Sequence, residues 1–452
     1  MDRQQLESLL HERGIRRVKL GGFDIDGVLR GKYISLDKLW SAIDKGMGFC
    51  DVIFGWDVAD ALYDNAEVTG WHSGYPDVLS RIDLNTLRIL PSEPHTAQLL
   101  IDFYQTPKHP HPACPRNLLK SVIARLGAAG FHAEVGVELE FWIFRETPES
   151  MRAKNYTNLT PLTPGMCGYS WVRSGQQVRL LEDLFDQLTA FGIDLEGLHT
   201  ETGPGVYEVA IRHADPLRAA DMAALFKSAL KVLCARHELS VTFMAKWNNA
   251  LPGSSGHIHQ SLWNAERDRN LFADPKGEHG LSALAHHYIG GLCALSPAMT
   301  ALFAPTINSY KRYVPGMWAP MTASWGVENR TCAMRAITGP GPNASRLEFR
   351  QTAADLNPYI SIAACLAAGL HGVTQAITPP PPAGGDATQA SGAKPFPTTL
   401  PAAIAALRND ETVRQVLPEA FLDHYIRTRE FEVRQFERDV TDWELGRYFE
   451  AI

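Results

Sequence analysis

The chain has 452 residues, 45% hydrophobic and 21% charged, which is the make-up of a globular protein with a large core. A formal charge of -7 leaves no basic footprint and argues against nucleic acid and anionic membrane as partners. Seven cysteines without a CxxC pair read as reduced thiols buried in a cytoplasmic protein, and no run reaches the roughly 18 apolar residues that a spanning helix needs.

In chain order, MDRQQLESLLHERGI carries Leu6, Leu9, Leu10 and Ile15 at helical spacing, which predicts a charged amphipathic helix and not a targeting segment. VKLGGFDIDGVLRGKYISL alternates about a glycine turn and predicts a hairpin, with further strands at Thr86–Leu90 and Ala97–Tyr104. The Pro- and His-rich stretch TPKHPHPACPR marks a boundary between a small α+β domain, 1–106, and a larger one, 112–452. Within it, His109 and His111 read as loop residues. Helices are predicted at Arg116–Ala129, Gln176–Phe191, Pro216–His237, Leu400–Leu407 and Glu419–Phe449, and TPPPPAGGDATQASGAKPFPTT is a loop by composition. GVLRGK is one residue short of a phosphate-binding loop and lacks its Ser/Thr. The absence of GxGxxG, HExxH and GxSxG leaves hydride transfer, zinc proteolysis and serine hydrolysis without support.

The chemistry-bearing residues lie on short segments of alternating polarity. In VGVELEFWIF, Glu138 and Glu140 share one strand face while Val137, Leu139 and Phe141 share the other. The same parity groups His257, His259 and Ser261 in GHIHQSLW, and Arg346, Glu348 and Arg350 in RLEFR; Glu201 and Glu208 stand in ETGPGVYEVAI. A Glu-x-Glu pair alone is the ordinary wet face of an antiparallel sheet. Five carboxylates converging with one imidazole would repel unless divalent cations balanced them, and that donor set suits Mg2+ or Mn2+ over Zn2+. The expectation is a two-metal site beside a cluster of arginines.

GVELEFWIF, ETGPGVYEV, PGSSGHIHQSLW, NSYKRYVPG, ENRTCAMR and RLEFRQTAADLNPY, in this order, resemble the glutamine synthetase superfamily over nearly the whole chain. The resemblance implies an α+β fold, with an N-terminal β-grasp domain and a catalytic domain of antiparallel sheet backed by helices. It also implies a ring of two stacked hexamers with shared active sites. ATP would phosphorylate the γ-carboxylate of glutamate, and an amine would displace the phosphate. By resemblance Glu140, Glu201 and Glu208 would hold one metal and Glu138, His257 and Glu348 the other. Arg312 and Arg350 would bind glutamate, with Gly253 allowing close backbone approach. Arg330 and Arg335 would meet phosphate oxygens, Arg330 and Arg312 serving catalysis, while Glu196, His259, Ser261 and Arg346 would help seat the nucleotide.

The sequence also departs from the ammonia-using pattern. Their flap reads roughly VPGYE, and its glutamate helps deprotonate ammonium; here it reads RYVPGMWAP, with Trp318 in that place. GFCDVIFGWDVAD replaces the ammonia-site FDGSS-like stretch, so Asp51 or Asp57 could restore only part of it. Pro252 replaces the usual asparagine before Gly253, and Asn343 an often-found lysine. The PGSS-HIHQS and SWG-ENR variants look more like γ-glutamylpolyamine and γ-glutamylamide synthetases. The expected activity is ligation of glutamate to an organic amine, with Trp318, and Trp56 and Trp71 of an adjoining subunit, lining the amine entrance. The alternatives are an ammonia-using glutamine synthetase and a silent structural relative similar to lengsin. The Pro-rich loop has no tyrosine, which argues against tyrosyl adenylylation there.

Overall fold

Asp2 accepts from the Gln5 N–H and Gln5 reaches back to the Asp2 N–H, so the first helix, Arg3–Glu12, starts on a reciprocal cap and turns Leu6 and Leu10 inward. The computed structural model describes residues 2–452, Gln389 by its backbone alone. The predicted hairpin forms: β1 (Arg17–Phe23) pairs antiparallel with β2 (Leu29–Ser35). With β3 (Met47–Cys50), β4 (Asp77–Ile89), β5 (Thr96–Thr106) and β6 (His109–Pro110) it makes a mixed sheet in the order β2-β1-β5-β4-β3, in which β1 and β5 run parallel and β6 extends β5. The strand expected at Thr86–Leu90 is only the end of β4, whose earlier part also alternates, with Ile82 and Leu84 set between Arg81, Asp83 and Asn85.

The second sheet contains β7 (Phe131–Phe144), β8 (Leu195–Thr200), β9 (Val206–Ala214), β10 (Ser240–Thr242), β11 (Ile258–Asn264), β12 (Trp325–Val327), β13 (Met334–Ile337) and β14 (Arg346–Phe349). Its order is β12-β13-β14-β11-β7-β9-β8, with β10 also on β7, and it is antiparallel except for the parallel pair β12/β13. Val135, Val137, Leu139 and Phe141 are buried in a core shared with helices Pro115–Ala128, Val178–Ala190, Pro216–Arg236 and Pro358–Thr374. The opposite face is thereby left to carry charge. The α+β expectation is borne out.

Arg116 ties the first sheet to the helices that back the second. Buried at the start of its helix, it donates to Asp102 at 2.7 Å and Asp83 at 2.8 Å from the first sheet, and to Asp221 at 2.9 Å from helix Pro216–Arg236. A buried cation is tolerable only with such pairing. His111, expected in a loop, is buried and stacks on Phe54 at 4.5 Å, while His109 is exposed in the short β6.

Two further expectations need correction. The helix expected over Glu419–Phe449 is two helices, Glu419–Arg438 and Asp442–Tyr448, because Thr441 and Glu444 form a fresh capping box. The thiols are all free, but Cys167 is exposed and Cys50 half-buried. The Pro-rich stretch is a loop as expected, apart from a short turn at Ala387–Gln389, and it is tied to its neighbours: Ala383 N donates to Trp325 O at 2.8 Å, and Phe396 N to Met321 O at 3.0 Å. Among the described residues no helix is long and apolar enough to cross a membrane.

Candidate active site

Strand register assembles the acidic face. Glu140 on β7 lies opposite Glu208 on β9, and Glu208 lies opposite His199 on β8, so three neighbouring strands place these side chains in one row. A second row runs from Arg335 on β13 through Glu348 on β14 to His259 on β11. Between the rows, the Glu138 N–H donates to His257 O at 3.0 Å, which brings the His257 ring beside the Glu138 carboxylate. Three sets of possible ligand atoms result: Glu138, His259 and Glu348; Glu138, Glu208 and His257; His199, Glu201 and Glu208. Glu140 belongs to none of these sets; its Oε2 accepts the Ser255 N–H at 2.7 Å, which leaves Oε1 free of that bond.

The electrostatics divide the cluster. Burial works against the charge of Glu138, but His257 and His259 outweigh it and hold this carboxyl well below its usual range. Glu348, also opposed by burial, is held at about 2 by His257, Arg350 and His259. Glu140 moves the other way. Burial, then the repulsion of Glu208, pushes it up to about 8 against the Ser255 N–H and Arg312. A buried carboxyl that cannot keep its charge beside Glu208, and a buried His257 Nε2 without a hydrogen-bond partner in the same acidic cluster, make a donor arrangement that a divalent cation satisfies. The residues present therefore fit a metal.

The arginines surround this cluster. Arg350 donates to Glu348 Oε1 and, at 3.1 Å, to the Arg330 carbonyl. Arg335 bridges Glu348 at 3.1 Å and Glu328 at 2.5 Å. Arg330 itself is exposed. Arg312 is fully enclosed, and its donors meet Gln351 O at 3.0 Å, Ser255 Oγ at 2.9 Å and Arg350 O at 3.2 Å, so its guanidinium braces the site's backbone. A Cβ on Gly253 would stand 2.7 Å from both Ala245 O and Arg312 Cγ, which explains the glycine as the seat of Arg312.

The residues expected to seat the nucleotide line one cavity of about 320 Å3 beside the cluster: Glu196, His259, Ser261 and Arg346 are on its wall, with Asn343 and Trp263. His259 has two faces, since its Nδ1 lies 3.3 Å from Arg346 Nε and its Nε2 3.1 Å from Glu138 Oε1. The sequence reading missed two neighbours. His199 lies 3.3 Å from Glu208, and Tyr169 covers the His199 ring at 4.4 Å. The alternation His199, Glu201 could have revealed the first; Tyr169, in a loop, gave no periodic signal. Trp318 is 63% exposed at φ 62°, on a cleft separate from the nucleotide cavity. Trp56 is half-buried under Arg30, and Trp71 is exposed.

The family model described as glutamine synthetase, catalytic domain, matches residues 112–448. The chain is 45% identical to type-1 glutamine synthetase 2 of Dictyostelium discoideum, over 96% of this chain and 84% of that protein. It is 36% identical to glutamate–isopropylamine ligase of a Pseudomonas, over 99% and 98%, and 35% identical to γ-glutamylethanolamide synthetase GlnA4 of Streptomyces coelicolor, over 99% and 96%. A solved GmaS/ADP complex superimposes with a TM-score of 0.85 at 29% identity, covering 99% of each chain. The acidic strand rows, the arginines around them and this full-length similarity lead to one conclusion: the chain belongs to the glutamine synthetase family.

Proposed function

We propose that this protein is an ATP-dependent ligase that joins the γ-carboxylate of glutamate to an organic amine. The carrying observation is the flap. No residue from Tyr313 to Met321 is acidic, and Trp318 presents an exposed indole where ammonia-using members place a carboxylate. The relatives named for isopropylamine and ethanolamide ligation support the reading over an ammonia-using synthetase or a silent lengsin-like protein. Cluster carboxylates that stay paired or buried also speak for a working enzyme.

In the proposed reaction the γ-carboxylate oxygen attacks the γ-phosphorus of ATP, giving γ-glutamyl phosphate and ADP. The amine nitrogen then attacks the carbonyl carbon, the C–N bond forms as the C–O bond to phosphate breaks, and the nitrogen gives up a proton to phosphate or water. Glu140, Glu201 and Glu208 would hold one Mg2+ or Mn2+, with His199 behind them, and Glu138, His257 and Glu348 another. When bound, these ions neutralise the phosphate charge and the acidic face. Arg330 and Arg335 are suited to the charge of the transferring phosphoryl group, and Arg330 alone is exposed enough to swing onto it. Arg350 would meet glutamate, with Arg312 fixing the backbone around Gly253. Glu196, His259, Ser261 and Arg346 would position the nucleotide.

The reading includes division of the chain into domains 1–106 and 112–452, supported by the two sheets with their own apolar cores. It also includes a cytoplasmic ring of two stacked hexamers in which a neighbour's Trp56 and Trp71 complete the amine entrance. Glutamate labelled with 18O in its γ-carboxylate tests the chemistry: one labelled oxygen should pass to phosphate in step with amide formation. Unlabelled phosphate would refute the acyl phosphate route.

A further inference from the structure

The Pro-rich loop is stitched to the segment that follows the flap, on either side of Arg330. Asn329 Nδ2 donates to Ala383 O at 3.0 Å and Gly385 O at 2.7 Å, Thr331 Oγ1 donates to Gly385 O at 2.9 Å, and Ala387 N returns a bond to Thr331 Oγ1 at 3.0 Å. Trp325 Nε1 donates to Pro380 O at 2.6 Å, and Thr322 bridges Pro395. Between the flap and the Pro-rich loop lies a cleft of about 230 Å3. Trp318, Pro320, Met321 and Ala387 give it an apolar wall, Thr331 and Asp386 lie at its polar end, and Asp386 is its one ionisable lining residue.

Asp386 is exposed and forms no ion pair among the described residues; its Oδ1 accepts the Thr388 N–H at 3.0 Å, which helps keep the carboxyl ionised. Trp318 sits at φ 62°, a backbone region that a bulky residue enters only when its surroundings hold it there. The cleft thus joins an apolar wall to one anionic end, and its Thr331 edge adjoins Arg330, whose carbonyl is tied through Arg350 to Glu348. An occupant with a hydrocarbon body and a cationic or hydrogen-bond-donating tail complements it.

We infer that this cleft binds the distal half of the acceptor amine, and that Asp386 selects amines carrying a second amino or hydroxyl group over plain alkylamines. The inference rests on the proposed ligase activity and names its substrate class. The reacting nitrogen forms the amide as phosphate leaves, while the tail takes no part in bond making and pairs with Asp386.

The test compares diaminobutane, aminobutanol and butylamine, equal in carbon count, by kcat/KM for γ-glutamylamide formation in the full-length protein. The diamine should exceed butylamine by about fivefold, the size expected of an exposed charge pair, with the amino alcohol between. Asp386→Asn should bring that ratio toward one, and Asp386→Glu should restore it in part. A wild-type ratio at or below one, or an unchanged ratio in Asp386→Asn, overturns the inference. Butylamine turnover reports on the parent reading alone: amide from butylamine without diamine preference sinks only the cleft assignment, whereas no amide from any of the three sinks both.

Discussion

The acidic face of the second sheet and the flap-and-loop rim beside it are held by different physics. On the sheet, Glu140, Glu208 and His199 are placed by backbone register, so one residue of slip would turn every ligand candidate into the core. At the rim, Asp386 is placed by hydrogen bonds between loops, each worth about 0.5–1.5 kcal/mol net, and Trp318 faces it from the flap across the cleft. The first arrangement fixes distances for chemistry shared across a family. The second can change occupants without disturbing the first, and substrate choice belongs there.

The largest expected effect breaks the sheet cluster without breaking the sheet. Glu140→Ala should lower turnover by about a thousandfold, the loss seen when a major electrostatic group is removed. It should leave the melting temperature of the metal-free protein unchanged or higher, because Glu140 is a buried carboxyl pushed up to about 8. Glu348→Ala should lower both turnover and melting temperature, since it strands Arg350 and leaves Arg335 with Glu328 alone, at about 3–5 kcal/mol for a broken buried pair. Calorimetric melting with and without Mg2+ separates the two; equal melting shifts would show that the charge division is wrong.

Acid should act on the scaffold more than on either region. Burial holds His111 at about 4; burial, then the nearby charges of His111 and Arg429, holds His424 at about 3. The unfolded chain takes up both protons below about 6.5, so stability is full above that pH and is lost as pH falls toward the two folded values. The free energy of unfolding from urea titrations between pH 7 and 5 should fall more steeply in the wild type than in His424→Gln, by up to about 1.4 kcal/mol per pH unit, while Glu140 and Asp24, pushed up to about 8 and about 7, act with the opposite sign in both proteins. Equal slopes in the two proteins would contradict a buried neutral His424.

Two smaller changes sharpen the contrast. Gly253→Ala should destabilise by about 1–3 kcal/mol through overpacking against Arg312 and raise KM for glutamate. Thr331→Val removes the bonds to Gly385 and Ala387, at about 1–3 kcal/mol for the two together, and should speed proteolysis in 378–399 while divalent-ion affinity stays fixed. Calorimetric ion binding on the same sample checks the second half; a weakened ion site would mean that rim and sheet are one unit.

The same contrast explains what could be read from the sequence. Val137, Leu139 and Phe141 alternate with Glu138 and Glu140, and a period of two survives translation into structure, so the acidic face was legible. Arg312 was legible as a residue but not as a brace, because its partners are the carbonyls of Gln351 and Arg350, which no side-chain pattern announces. The ordered Pro-rich loop was hidden for the same reason: its ties run through backbone groups to Asn329 and Trp325. Tyr169 over His199 is a loop-to-strand contact that only tertiary structure creates.

The ligase reading itself is tested most directly by the acceptor specificity of the wild-type protein with ATP, Mg2+ and glutamate. Burying a substrate's hydrocarbon against Trp318 is worth about 25 cal/mol per Å2, so an amine presenting roughly 60 Å2 gains about tenfold. The account predicts that kcat/KM for alkylamines exceeds that for ammonia by at least about this factor and that Trp318→Ala erodes the preference. Ammonia as the best acceptor, with selectivity unmoved in Trp318→Ala, would contradict it.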